Sequence, residues 1–324
     1  MSDVHDHPPI DRDLAETAWP ALLEKKKATH RLTAEEYQAH VKATVDWWPA
    51  DLERGGAVEV TETTIESASG DQRLPVLILK PSSGSGPFPC LYYTANGGKM
   101  LQSTTMALTD VESRWVEELG VAVVSIAPRV GPQYPHPAQV EDAYAGLRWL
   151  VENAESLDID PGRVIVYGKS GGGGIAAATA LYARDRGGPH LAHQMLICPM
   201  IDDRPDNASS HYDVAPWTAA NNRVGWSAIL GDAAGGPEVS PYAAAARATD
   251  LGGLPPAYLE VGSSEVFRDE TLDYASRLAR AGVPMEVHSW AGGFHSFEIS
   301  APDANVSRAC LAARTSYLER ALKG

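Results

Sequence analysis

From about Val58 onward, short apolar runs rich in β-branched residues alternate with longer segments whose apolar residues recur three or four positions apart. Such a chain folds as strands alternating with helices. Eight strands are expected, over residues 58–65, 74–80, 90–94, 121–126, 163–167, 193–198, 257–261 and 285–290. Thr109-x-x-Glu112 is a capping box that opens a helix, and Gly120 ends it. Val140, Ala143, Tyr144, Leu147 and Val151 lay an apolar stripe along the next helix. Leu272, Ala275 and Ala279 do the same before Gly282 and Pro284 stop theirs. Ser82 to Pro87 reads as a turn between strands. The alternation predicts an α/β protein with a mainly parallel sheet.

Two segments fall outside this rhythm. Residues 1–50 are helical in pattern, with a second capping box at Thr33-x-x-Glu36. Residues 202–254 separate two strands and carry Pro, Gly, Asn and, among their aromatics, Tyr212, Trp217 and Trp226. A connection of that length inside a compact domain is usually functional. The two segments are expected to form a helical cap, from about 1–50 and about 202–230, over the C-terminal edge of the sheet, where α/β folds bind ligands. Residues 1–324 then read as a single domain.

Composition narrows the partners more than the fold. The 324 residues are 44% hydrophobic and 21% charged, an ordinary globular balance. No apolar run approaches the ~18 residues of a membrane span. The stretch Met1 to Asp6 is polar and has no apolar core, which argues against secretion. Cys90, Cys198 and Cys310 lie far apart in apolar surroundings and read as buried, reduced thiols of a cytoplasmic protein. They have no metal-ligand spacing, and His5-Asp6-His7 reads as an incidental cluster in a chain terminus. A net charge of −15 speaks against nucleic acid and anionic membranes as partners.

The chemistry concentrates at Gly168-Lys169-Ser170-Gly171-Gly172, a G-x-S-x-G between the apolar run 163–167 and a helix start rich in small residues. A serine on a tight strand-to-helix turn is pushed out of the surface, and flanking glycines remove the Cβ atoms that would clash there. The helix N-terminus beneath it favours developing negative charge. A phosphate-binding loop would need glycine where Arg163 stands. A dinucleotide fingerprint over Gly171, Gly173 and Ala176 would need an acidic residue closing the next strand, and 191–199 has none.

A serine hydroxyl needs a base, and in this kind of fold the partners follow in the order serine, acid, histidine. His295 sits in Gly292-Gly293-Phe294-His295, directly after the last expected strand, and is the candidate base. Glu265, four residues past the preceding strand, is the candidate acid; Asp269 reads better as a first-turn charge of the following helix. An acid there would fix the imidazole tautomer and stabilise the imidazolium. For the oxyanion, Gly171 follows the nucleophile, and the turn Asn96-Gly97-Gly98-Lys99 follows the third strand.

These residues together resemble the hormone-sensitive-lipase-like branch of the α/β-hydrolases, from roughly Arg73 to Phe297. Tyr134-Pro135-His136-Pro137-Ala138, the run from Cys198 to Arg204, Val239-Ser240-Pro241-Tyr242 and Ala281-Gly282-Val283-Pro284 extend the likeness. It implies an eight-stranded α/β-hydrolase sheet with a helical cap, no cofactor and no metal, and dimers made through the last strand and helix. It implies Ser170 as nucleophile, Glu265 as acid, His295 as base, and Gly97, Gly98 and Gly171 as oxyanion donors.

The departures bear on substrate. The family's His-Gly-Gly-Gly is Asn96-Gly97-Gly98-Lys99 or, one residue earlier, Ala95-Asn96-Gly97-Gly98, the residue before the nucleophile is Lys169, and Ser296 follows the histidine. Lys99 and Lys169 either point to solvent or recognise a carboxylate on an anionic ester. Tyr212, Trp217 and Trp226 are candidate lining residues for a short to medium acyl chain. The expectation is a serine carboxylesterase acting on small-molecule esters. A lactonase or amidase with the same triad is the alternative within enzymes, and an inactive ligand-binding homologue the alternative outside them.

Overall fold

The computed structural model describes residues 7–29, 32–44, 51–95, 97–106 and 108–323. Its strands are β1 (Val58–Glu66), β2 (Arg73–Pro81), β3 (Phe88–Thr94), β4 (Ala122–Ile126), β5 (Ile159–Lys169), β6 (His193–Ile197), β7 (Ala257–Gly262) and β8 (Met285–Trp290). They form one sheet in the order β1-β2-β4-β3-β5-β6-β7-β8. β1 pairs antiparallel with β2, and β2 antiparallel with β4; every later pairing is parallel. Each of the eight expected strands is present. β5 runs further than expected at both ends, which brings Lys169 into the sheet.

The helices are α1 (Arg12–Thr17), α2 (Trp19–Thr29), α3 (Ala34–Thr44), α4 (Asp110–Leu119), α5 (Ala138–Glu152), α6 (Ala154–Leu157), α7 (Gly171–Asp185), α8 (Ala219–Leu230), α9 (Arg268–Arg280), α10 (Phe297–Ser300) and α11 (Asn305–Ala321). Local chemistry sets their ends. At α4 the Glu112 carboxylate accepts the Thr109 N–H at 2.8 Å, and Gly120 closes the helix at φ 65°. At α3 the same exchange joins Thr33 and Glu36.

Strand side chains alternate between the two faces with period two, so each strand feeds two cores. Val76, Ile78, Tyr92, Val164 and Val166 pack on one face with α5, α7 and α9 residues such as Leu147, Ala180 and Leu278. Leu77, Leu79, Tyr93, Ile165 and Tyr167 pack on the other with Trp115 and Val116 of α4 and Leu318 of α11. A third cluster joins Leu14, Leu22, Tyr37 and Val41 from α1–α3 to Tyr212, Trp217 and Trp226 from the 202–254 connection. Met100, Met200, Phe267 and Phe294 complete it. They lie on the loops that leave the C-terminal ends of β3, β6, β7 and β8, so the two segments outside the strand–helix rhythm meet where the parallel strands end.

Candidate active site

Ser170 joins β5 to α7 at φ 56° and ψ −123°, a conformation costing a non-glycine residue about 1–3 kcal/mol. Its neighbours hold it there. Its N–H donates to the Ile197 carbonyl at 2.9 Å, and its own carbonyl accepts the Met200 N–H at 3.0 Å. The glycines make room for this contact. A Cβ on Gly168 would lie 2.4 Å from the Gly172 carbonyl oxygen, and one on Gly174 would lie 2.0 Å from that of Met200.

His295 Nε2 lies 2.9 Å from Ser170 Oγ, and its Nδ1 lies 2.5 Å from Glu265 Oε2. The other oxygen of Glu265 accepts the Gly262 N–H at 2.6 Å. Glu265 is 1% exposed and His295 6%, so the chain of hydrogen bonds lies in a dry environment that strengthens it. The loops carrying acid and base are tied to each other: Ser264 N–H donates to the Gly293 carbonyl at 2.9 Å, and Gly292 N–H to Ser263 Oγ at 2.8 Å. The start of the described chain joins them, since the Pro8 carbonyl accepts the Ser264 hydroxyl at 2.9 Å and the Asp11 N–H donates to Gly292 at 3.1 Å. Asp269 is engaged elsewhere, with Arg268 and with the Ser209 N–H. Phe267 stands edge-on to the His295 ring at 5.2 Å.

Cys198, Glu265 and His295 place potential ligand atoms within 4.8 Å of one another. Burial, reinforced by the Glu265 carboxylate, pushes the Cys198 thiol well up, and a protonated thiol is a poor ligand. The imidazole Nδ1 is already committed to Glu265, so this donor set does not fit a metal. His5 and Asp6 lie outside the described residues.

The glycine turn corrects one expectation. Asn96 lies outside the described residues, and the Gly97 N–H is taken by the Leu101 carbonyl at 3.3 Å, so Gly97 is not a free donor. Gly98 adopts φ 56°, and a Cβ there would lie 2.2 Å from the Trp217 ring. Gly171 opens α7 directly after Ser170.

Both lysines are corrected as well. They face neither solvent nor an open binding surface: Lys99 is 1% exposed and Lys169 2%. A buried ammonium requires an anionic partner. For Lys169 it is Glu112, at 2.7 Å, a residue to which Tyr167 also donates at 2.6 Å. Burial alone would raise the Glu112 carboxyl, but Lys169 and these hydrogen bonds hold it below its usual range. The Lys99 ammonium packs 4.8 Å from the Trp226 ring centre. Burial pulls it down to about 7, against the opposing charges of Glu270 and Asp203. Sequence gave no signal for these acids, which are far from the lysines along the chain.

Of the three candidate aromatics, only Trp217 stands beside the base, its ring centre 6.4 Å from that of His295. Trp226 packs on Lys99, and Tyr212 on the Arg268 guanidinium. Tyr37 of α3, not singled out from sequence, meets Trp217 edge-on at 5.8 Å.

A family model described as alpha/beta hydrolase fold matches residues 91–299. Esterase LipI of Mycobacterium tuberculosis (strain ATCC 25618 / H37Rv) is 39% identical over 173 residues, 52% of this chain and 52% of that protein, so this match spans about half of LipI. Carboxylesterase NlhH of the same strain is 33% identical over 241 residues, 71% of this chain and 74% of that one. Among solved structures, Bacterial Heroin Esterase superposes with a TM-score of 0.81 at 32% identity, covering 97% of this chain and 98% of its own. Esterase LipW from Mycobacterium marinum gives 0.78 at 26% identity, covering 98% and 99%.

Proposed function

The chain belongs to the hormone-sensitive-lipase-like branch of the α/β-hydrolases, and on that premise we propose that it is a serine carboxylesterase acting through an acyl-enzyme on Ser170. The main support is the continuous hydrogen-bonded path from Ser170 through His295 to Glu265. Ser170 Oγ attacks the ester carbonyl as His295 Nε2 takes its proton, and Glu265 stabilises the imidazolium that forms. The N–H groups of Gly98 and Gly171 receive the oxyanion, each lowering the barrier by on the order of 3 kcal/mol. His295 returns the proton to the departing alcohol. It then draws one from a water that attacks the acyl-enzyme, releasing the acid and restoring Ser170.

In this assignment α1–α3 and the 202–230 segment act as a cap. Trp217, pressed on Gly98 and next to His295, is the wall that limits the acyl chain to short or medium length. The three buried cysteines, free of disulfides, support a cytoplasmic enzyme. No helix among the described residues is long and apolar enough to cross a membrane. β8 is an edge strand of the sheet and, with α11, offers the surface for a homodimer.

The test is hydrolysis of p-nitrophenyl esters from acetate to decanoate, wild type beside Ser170→Ala. Turnover lost in the variant supports the assignment. Turnover that survives it places the chemistry on another residue, and no turnover on any ester would overturn the assignment.

A further inference from the structure

Five charged side chains lie buried beneath the three candidate catalytic residues. Glu112 is fully buried, Arg314 is 1% exposed, Lys169 and Glu260 are 2%, and Glu298 is 5%. Burying even one ion pair carries a desolvation cost that commonly exceeds its attraction, so a group of five is weak evidence for stability. Its geometry points to another role.

Each segment that carries a catalytic residue also carries one member of the group. Lys169 directly precedes Ser170, Glu298 sits three residues after His295, and Glu260 sits five before Glu265. Lys169 reaches Glu112 on α4 at 2.7 Å, and the Glu112 carboxylate is itself fixed by the Thr109 N–H and the Tyr167 hydroxyl. Arg314 on α11 lies between the other two. Its Nε donates to Glu260 Oε1 at 2.6 Å and its Nη2 to Glu298 Oε1 at 2.7 Å. Tyr258 donates to the second oxygen of Glu260 at 2.6 Å, and Cys310 Sγ approaches the first at 3.3 Å. The two halves meet electrostatically, because both Arg314 and Lys169 act on Glu298 to hold its carboxyl low against the effect of burial.

We infer that this network positions the triad, with Arg314 holding the strand that leads to Glu265 against the short helix after His295, and Lys169–Glu112 anchoring the residue before Ser170. Arg314, Glu298, Lys169 and Glu112 are thus positioning residues that touch no reacting atom. The inference rests on the esterase assignment above. It predicts that their loss lowers kcat while leaving KM nearly unchanged, because a shift of about 1 Å in a catalytic group can cost on the order of a hundredfold.

The decisive variant is the double substitution Lys169→Met/Glu112→Gln, which leaves no unpaired buried charge and keeps an acceptor for Tyr167. It is measured beside Arg314→Lys, Arg314→Met and wild type, by kcat and KM on p-nitrophenyl acetate, by the rate of labelling with a fluorophosphonate, and by urea unfolding. The expected result is a kcat and labelling rate at least about tenfold down in the double variant, with KM within about twofold and an unchanged urea midpoint. Arg314→Lys should retain more activity than Arg314→Met. Wild-type kcat in a folded double variant overturns the inference, even if the arginine variants fail to fold. Wild-type protein that neither turns over esters nor takes label at Ser170 overturns the esterase assignment instead, and the two failures are told apart by the wild-type arm.

Discussion

The Ser264 hydroxyl donates to the Pro8 carbonyl at 2.9 Å, one residue before the carboxylate that holds His295. Together with the bond from Asp11 to Gly292, this makes the first described residues part of the support of the acid and base loops. A variant lacking residues 1–11 is expected to lose at least about tenfold in kcat while circular dichroism shows the sheet intact. Unchanged kcat would mean that the loops hold their geometry without that strap.

For Glu265 as the proposed acid, distance matters as well as charge. Glu265 reaches His295 at 2.5 Å, so Glu265→Asp, one methylene shorter, pulls the carboxylate away and is expected to cost on the order of a hundredfold in kcat. Glu265→Gln keeps the length but loses the charge and the tautomer control, and is expected to cost about 10³–10⁴. A Gln variant more active than the Asp variant would show that reach, not charge, dominates.

Gly98 and Trp217 form a second testable pair. Gly98→Ala would drive a methyl into the Trp217 ring at a backbone conformation strained for alanine, displacing the oxyanion turn. The expected loss in kcat is on the order of a hundredfold, with KM little changed. Trp217→Ala removes the wall instead. It should shift the preferred p-nitrophenyl ester toward longer chains, and an unchanged chain-length profile would move the acyl site elsewhere.

Lys99 gives a pH signature in stability. Its usual value of 10.5 falls to about 7 in the folded chain because burial disfavours the ammonium. Between these values the unfolded chain binds more protons than the folded one, so wild-type stability rises with pH relative to a variant without the group. Urea unfolding of wild type and Lys99→Met from about pH 7 to about pH 10 should show the difference moving in favour of wild type across that window. A difference independent of pH would mean that Lys99 titrates normally in the fold.

What the sequence revealed follows the range of the interactions involved. The strands were legible because apolar runs and flanking turns are local, and Ser170, Glu265 and His295 because their setting is local too: glycines around a serine, and an acid and a histidine just past strand ends. The lysines were misread because their partners are not local. Nothing near Lys169 in the chain announces Glu112, nor does anything near Lys99 announce Glu270 or Asp203. Gly97 departs from expectation for a subtler reason, since the bond its N–H makes to Leu101 depends on how the turn closes and not on its residue types. Arg314 did leave a trace. It falls on the same face of α11 as buried Ser307, Cys310, Tyr317 and Leu318, and a charge on an apolar stripe calls for a buried counter-charge.

Ser170 and His295 are 125 residues apart in the chain, although their side chains touch. At ribosomal rates of about 5–20 residues per second, the serine is made on the order of ten seconds before its base. During synthesis Ser170 is therefore an ordinary hydroxyl on an unfinished sheet, and a chain that stops short of β8 carries a serine without the histidine proposed to activate it. Under the proposed assignment, hydrolytic power would appear only once the loop after β8 has been made, so the order of residues along the chain would keep a copy lacking that loop inert.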